Sequence, residues 1–127
     1  MHGHSYTANP LACAAALASL EITTAAETRR RWAEIEALHR QRLAALGTRA
    51  EVAATRVQGT IGALDVVTAD GGYNSEVGPR LKRSFAEQGL LLRPLGNVVY
   101  LLPPYCTTDE QLHRGWDGVE RALDQMA

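Results

Sequence analysis

Val52-Ala53-Ala54-Thr55-Arg56-Val57-Gln58-Gly59-Thr60-Ile61-Gly62-Ala63-Leu64-Asp65-Val66-Val67 decides the fold. Two apolar runs with β-branched residues flank Gln58-Gly59-Thr60, and glycine supplies the positive φ that a tight reversal of the chain needs. The stretch therefore predicts an antiparallel hairpin, strands over 52–57 and 61–67. An antiparallel sheet can keep one face in water and bury the other, so helices are expected on one side of it.

Working outward, Asn9 is a good N-cap and Pro10 suits the first helical position, which predicts a helix from residue 10 to about residue 22. Its alanine-rich sequence implies close packing, with Cys13 as a small core residue. A second helix over 26–46 carries Trp32, Ile35, Leu38, Leu43 and Leu46 near helical spacing and ends at Gly47. Beyond the hairpin, Asp70-Gly71-Gly72 breaks the chain, and a helix from about residue 75 or 76 to residue 88 follows, ended by Gly89. Strands are expected over 90–93 and 98–102, around Pro94-Leu95-Gly96-Asn97. Thr108 with Gln111, or Thr107 with Glu110, forms a capping box for a last helix with Leu112, Trp116, Val119 and Leu123 inward. The sum is an α+β two-layer domain: an antiparallel sheet of three or four strands with helices mainly on one face. Residues 10–47 supply helices and residues 52–127 the sheet region.

In 127 residues, 46% apolar and 21% charged content is that of a soluble globular domain. A net charge of −1 provides no basic field for a phosphate backbone, so nucleic acid is not an expected partner. Arg29-Arg30-Arg31 stands among Glu27, Glu34 and Glu36 and reads as a solvated helix face. No run approaches the ~20 apolar residues of a membrane span, and a cytoplasmic location is expected. Cys13 and Cys106 are too few and too far apart for a disulfide framework.

Read for chemistry, the residues alone give no complete catalytic set. His2 and His4 have no third ligand nearby, so no metal site is expected. Lys82, the only lysine, lies on a predicted surface helix beside Arg80, Arg83 and Glu87, a solvated setting unlike the buried one that activates an amine. Arg93 is more informative. It ends an apolar run and is held extended by Pro94, where a guanidinium wants an anion. The sequence leaves a structural ion pair and a bound carboxylate both open.

Two blocks carry a family resemblance. His2-Gly3-His4-Ser5-Tyr6-Thr7-Ala8-Asn9-Pro10-Leu11-Ala12, followed by small helical residues, resembles the class III, pyridoxal-phosphate-dependent aminotransferases. Gly89 to Tyr105, with Arg93-Pro94-Leu95-Gly96 and Tyr100-Leu101-Leu102-Pro103-Pro104-Tyr105, resembles those that act on S-adenosylmethionine and 8-amino-7-oxononanoate to give 7,8-diaminononanoate in biotin synthesis. The resemblance covers the whole chain, residues 1–127, as the carboxy-terminal small domain of such an enzyme. It implies a partnership with a large domain, a homodimer and small-molecule substrates.

The resemblance also assigns residues. It places the Schiff-base lysine upstream of Met1, so this chain is expected to contain no catalytic residue and to be inactive alone. Residues 1–9 become a cofactor-phosphate segment, in which Ser5 and Tyr6 match the family's Ser/Thr-aromatic pair. The hydroxyl of Ser5 would hold the pyridoxal phosphate of the neighbouring subunit, although His4 departs from the family's usual proline. Arg93 matches the arginine that receives the oxononanoate carboxylate. Tyr100 stands where glutamate-using relatives carry an arginine, so the substrate-binding pair is Arg93 and Tyr100. Another class III ω-aminotransferase and a non-catalytic interaction domain are the competing expectations.

Overall fold

The computed structural model describes residue 3, residues 7–69 and residues 72–126. The order is α1 (Pro10–Thr24), α2 (Ala26–Leu46), β1 (Val52–Gln58), β2 (Ile61–Val66), α3 (Val77–Glu87), β3 (Val98–Leu101) and α4 (Asp109–Asp124). The three strands form one antiparallel sheet in the order β1-β2-β3. Gln58 pairs with Ile61 across the turn, and Gly59 takes φ +53°, as the hairpin sequence demands.

Side-chain alternation divides the sheet into two faces. Leu64 and Val66 of β2 and Val99 and Leu101 of β3 are buried with Ile35, Leu38 and Leu43 of α2, Leu81 and Phe85 of α3, and Trp116 and Val119 of α4. Tyr100, between two buried neighbours on β3, faces the other way. The α2 helix and the turn after it are tied to α4 by Arg31–Asp109 (2.7 Å), Arg42–Asp117 (2.6 Å) and, from the turn, Arg49–Asp124 (2.6 Å). Both partner series ascend together, so the two helices run in the same direction. Arg31 thus departs from the expected solvated face: it is half-buried and also donates to the Thr107 carbonyl. The capping box that opens α4 is the one from Thr108 to Gln111.

The expected strand over 90–93 does not form. Gly89, at φ +70°, ends α3 and turns the Leu90 N–H back to the Phe85 carbonyl at 2.8 Å, spending a donor that a strand would need. Leu90 then packs on Gly118 of α4, where even a β-carbon would collide with it. Leu95 and Val98 close a tight turn by exchanging hydrogen bonds of 2.9 and 3.0 Å. The sheet accordingly has three strands among the described residues.

The α1 helix corrects a second expectation. Its cap is as read, with the Asn9 side chain accepting from the N–H groups of Leu11 and Ala12 at 3.1 Å. None of its residues is buried among the described residues, however, and Cys13 is exposed, not a core residue. Alanine permits close approach, but no described layer faces this helix beyond the start of α2. No helix of the described residues is long and apolar enough to cross a membrane.

His39 is a buried polar residue that the sequence pattern did not mark. The Trp116 Nε1–H donates to its Nδ1 at 3.0 Å, and its Nε2 lies 3.1 Å from the Thr60 carbonyl. A carbonyl can only accept, so Nε2 carries the proton and the ring is neutral. Burial pushes its pKa below the ordinary histidine value, against a smaller upward pull from Thr60. Gly62 completes the fit, since a β-carbon there would lie 2.7 Å from Nδ1. On acidification the unfolded chain gains a proton at about pH 6.5 that the folded chain refuses. Stability is therefore full above that pH and declines below it by up to about 1.4 kcal/mol per pH unit until the folded value is reached. His39→Gln, whose amide can accept from Trp116 and donate to Thr60, is expected to flatten this part of the dependence in urea titrations between pH 7 and 5. An unchanged slope would mean that other groups carry it.

Candidate functional site

A cleft of about 660 Å³ opens beside β3, between α3 and the loop that precedes β3. Tyr73, Asn74 and Ser75 line it from the turn before α3, Gly78, Pro79 and Lys82 from α3, and Arg93 to Gly96 with Tyr100 from the other side. The α3 sequence makes this possible. Val77, Leu81 and Phe85 turn into the core, which leaves Gly78 and Lys82, one helical turn apart, on the cleft side.

Glycine and asparagine set the walls. A β-carbon on Gly78 would lie 2.7 Å from the Gly96 carbonyl oxygen, and one on Gly96 would overlap the Gly72 carbonyl. Backbone thus meets backbone at both contacts. The Asn97 side chain donates to the Val66 carbonyl at 3.0 Å and accepts from the Gly72 N–H at 3.0 Å. Its amide joins the end of β2 to the turn before α3, so the loop that carries Arg93 is anchored to the sheet at Asn97 and to the helix at Gly78.

The electrostatics are one-sided. Among the described residues no Asp or Glu lines the cleft, and neither Arg93 nor Lys82 has an ion-pair partner. Arg93 is exposed, so its guanidinium stays in water and carries no desolvation penalty without a partner among the described residues. The structural ion pair that the sequence left open is absent among the described residues. A planar guanidinium, a phenol hydroxyl at Tyr100 and an ammonium around a partly apolar groove can bind a carboxylate on an aliphatic chain.

Arg93 and Tyr100 both line this cleft. Lys82 is exposed, as its solvated neighbours predict, and also lines the cleft, which Gly78, Gly96 and Asn97 support. No local signal marks Lys82, because its place in the cleft is set by the close approach of Gly78 to Gly96. Ser5 and Tyr6, with His2 and His4, lie outside the described residues. Lys82 is exposed, so it lacks the buried setting that a Schiff-base amine needs.

Known proteins extend these observations. The family model for aminotransferase class III matches residues 1–123. The adenosylmethionine-8-amino-7-oxononanoate aminotransferase of Synechococcus elongatus is 45% identical over 125 residues, which cover 98% of this chain and 29% of that protein. The crystal structure of adenosylmethionine-8-amino-7-oxononanoate aminotransferase from Methanocaldococcus jannaschii superposes with a TM-score of 0.80 at 30% identity, covering 98% of this chain and 30% of that one. A PMP-bound aminotransferase from Vibrio fluvialis superposes with a TM-score of 0.84 at 27% identity, covering 98% and 29%. The chain spans less than a third of the length of these relatives. With the family match running through nearly all of its residues and the fold in agreement, the chain belongs to the class III aminotransferases.

Proposed function

We propose that residues 1–127 are the carboxy-terminal small domain of an enzyme that transfers an amino group from S-adenosylmethionine to 8-amino-7-oxononanoate, giving 7,8-diaminononanoate. The observation that carries this reading is the cleft: among the described residues Arg93 has no ion-pair partner, Tyr100 lines the same space, and no carboxylate does. An arginine so placed is free for an external carboxylate, and Tyr100 gives no second guanidinium for the carboxylate of a glutamate donor. The 45% identity to the Synechococcus enzyme supports the same substrates.

In this reading Arg93 receives the oxononanoate carboxylate in a planar, two-bond fork, and Tyr100 offers a hydroxyl and an apolar ring to the substrate. Ser5 and Tyr6 are assigned to the cofactor phosphate in residues 1–9, a short hydroxyl being suited to a phosphate oxygen. Pyridoxal phosphate supplies the electron sink for exchange at carbon. The described residues fit only a substrate-carboxylate role and offer no buried lysine, so no step through the cofactor is assigned to them. A large domain and a second subunit of a homodimer complete the site, in the cytoplasm, and the domain alone is inactive.

The test is donor choice in the full-length enzyme. With 8-amino-7-oxononanoate as acceptor, S-adenosylmethionine is expected to yield 7,8-diaminononanoate, and glutamate at equal concentration to yield at least about tenfold less, the value of one lost charge-assisted bond. Comparable rates from glutamate, or turnover only of other ω-amino acids, would overturn the assignment in favour of another class III aminotransferase.

A further inference from the structure

We propose that Lys82 is a specificity-determining residue of the Arg93 cleft, a second cation that recruits the acceptor's distal carboxylate; the inference rests on the carboxylate-binding reading of that cleft. The two cations reach it from different walls, Lys82 from α3 and Arg93 from the loop before β3. Their relative placement is fixed by backbone: Gly78, one turn before Lys82, abuts the carbonyl of Gly96, and Gly96 belongs to the loop that carries Arg93. Among the described residues neither cation has an ion-pair partner and no Asp or Glu lines the space they share. Two like charges held in one groove raise each other's energy, and an entering carboxylate relieves both at once.

The division of labour follows from side-chain chemistry. A guanidinium holds a carboxylate in a fixed plane, whereas an ammonium on a flexible stem acts as a point charge with little demand on geometry. Arg93 therefore orients and Lys82 attracts. Because Lys82 is exposed, its contribution is modest and screened by salt, and it acts on binding more than on the chemical step. S-adenosylmethionine holds its carboxylate next to its own ammonium and carries a sulfonium besides, so it gains little from a second protein cation. Lys82 thus favours the acceptor, whose carboxylate stands at the far end of an aliphatic chain from its own amine, over the net-cationic donor.

The experiment uses the full-length enzyme and initial rates at two ionic strengths. Lys82→Gln is expected to raise KM for 8-amino-7-oxononanoate about two- to fivefold at low salt, with kcat held, and the effect to fade at about 0.5 M salt, where the Debye length falls to a few ångströms. KM for S-adenosylmethionine should not rise, and Lys82→Arg should restore the acceptor KM. An unmoved acceptor KM at low salt, an effect indifferent to salt, or failure of the arginine variant to rescue would overturn the proposal. Arg93→Gln, measured alongside, separates the two levels. If it raises the acceptor KM while Lys82→Gln does not, only the role of Lys82 fails; if neither does, the carboxylate reading of the cleft fails with it.

Discussion

Arg93→Ala in the full-length enzyme is expected to raise KM for 8-amino-7-oxononanoate about ten- to 150-fold, the equivalent of the 1.5–3 kcal/mol that a hydrogen bond to a charged group contributes. The effect exceeds that of Lys82 because the guanidinium donates two parallel bonds and its loss leaves the carboxylate unoriented in a partly closed groove. The half-reaction with S-adenosylmethionine should change much less, since the proposed contact is to the acceptor's far end. Steady-state kinetics with each substrate varied, together with single-turnover measurement of the donor half-reaction, reads both quantities. Equal losses in the two half-reactions would show that Arg93 shapes the domain instead of binding the acceptor. In the isolated chain the same substitution should leave the urea midpoint nearly unchanged, because Arg93 is exposed and unpaired among the described residues.

What the sequence made legible is local. The β1–β2 hairpin follows from two short strand-like runs and one glycine, the end of α2 from Gly47, and the start of α4 from a reciprocal cap between Thr108 and Gln111, each complete within a few residues of chain. The expected strand over 90–93 failed because Leu90-Leu91-Leu92 is apolar without a period, so packing decides its state. Leu90 goes to the notch at Gly118 and Leu91 is left 95% exposed, an outcome set by a helix far along the chain. His39 escaped notice for the same reason: its partners, Thr60 and Trp116, lie on other elements.

The site divides along similar lines. Arg93 could be singled out because Pro94 restricts the backbone before it and the surrounding residues are apolar, and Tyr100 lies on a strand whose alternation turns it away from buried Val99 and Leu101. Lys82 could not, because its helix face is solvated by every local criterion. Only the docking of α3 on Gly96 brings that face to the cleft. In α1, alanine at nearly every turn leaves no apolar stripe to orient the helix, so composition announced packing without naming a partner.

Gly96→Ala should produce the largest loss of stability among single-methyl additions to the cleft, and Gly59→Ala is its control. Both glycines have positive φ, +60° and +53°, and each alanine should incur the left-handed penalty of about 1–2 kcal/mol. They differ in what the new carbon meets. At Gly59 nothing lies within 4 Å, whereas at Gly96 the carbonyl of Gly72 occupies the space. That obstacle is backbone, tied through the Gly72 N–H to Asn97, and cannot swing aside as a side chain would. Displacing it adds about 1–3 kcal/mol, so the total at Gly96 is about 2–5 kcal/mol, or a fall in Tm on the order of 10 °C, against a few degrees at Gly59. Thermal unfolding of the two variants gives the difference directly, and equal falls would mean that the loop yields at no cost and does not hold Arg93 in place. Because the displaced turn also lines the cleft, Gly96→Ala in the full-length enzyme should raise the acceptor KM as well, while Gly59→Ala, at the far end of the hairpin turn, should leave it unchanged.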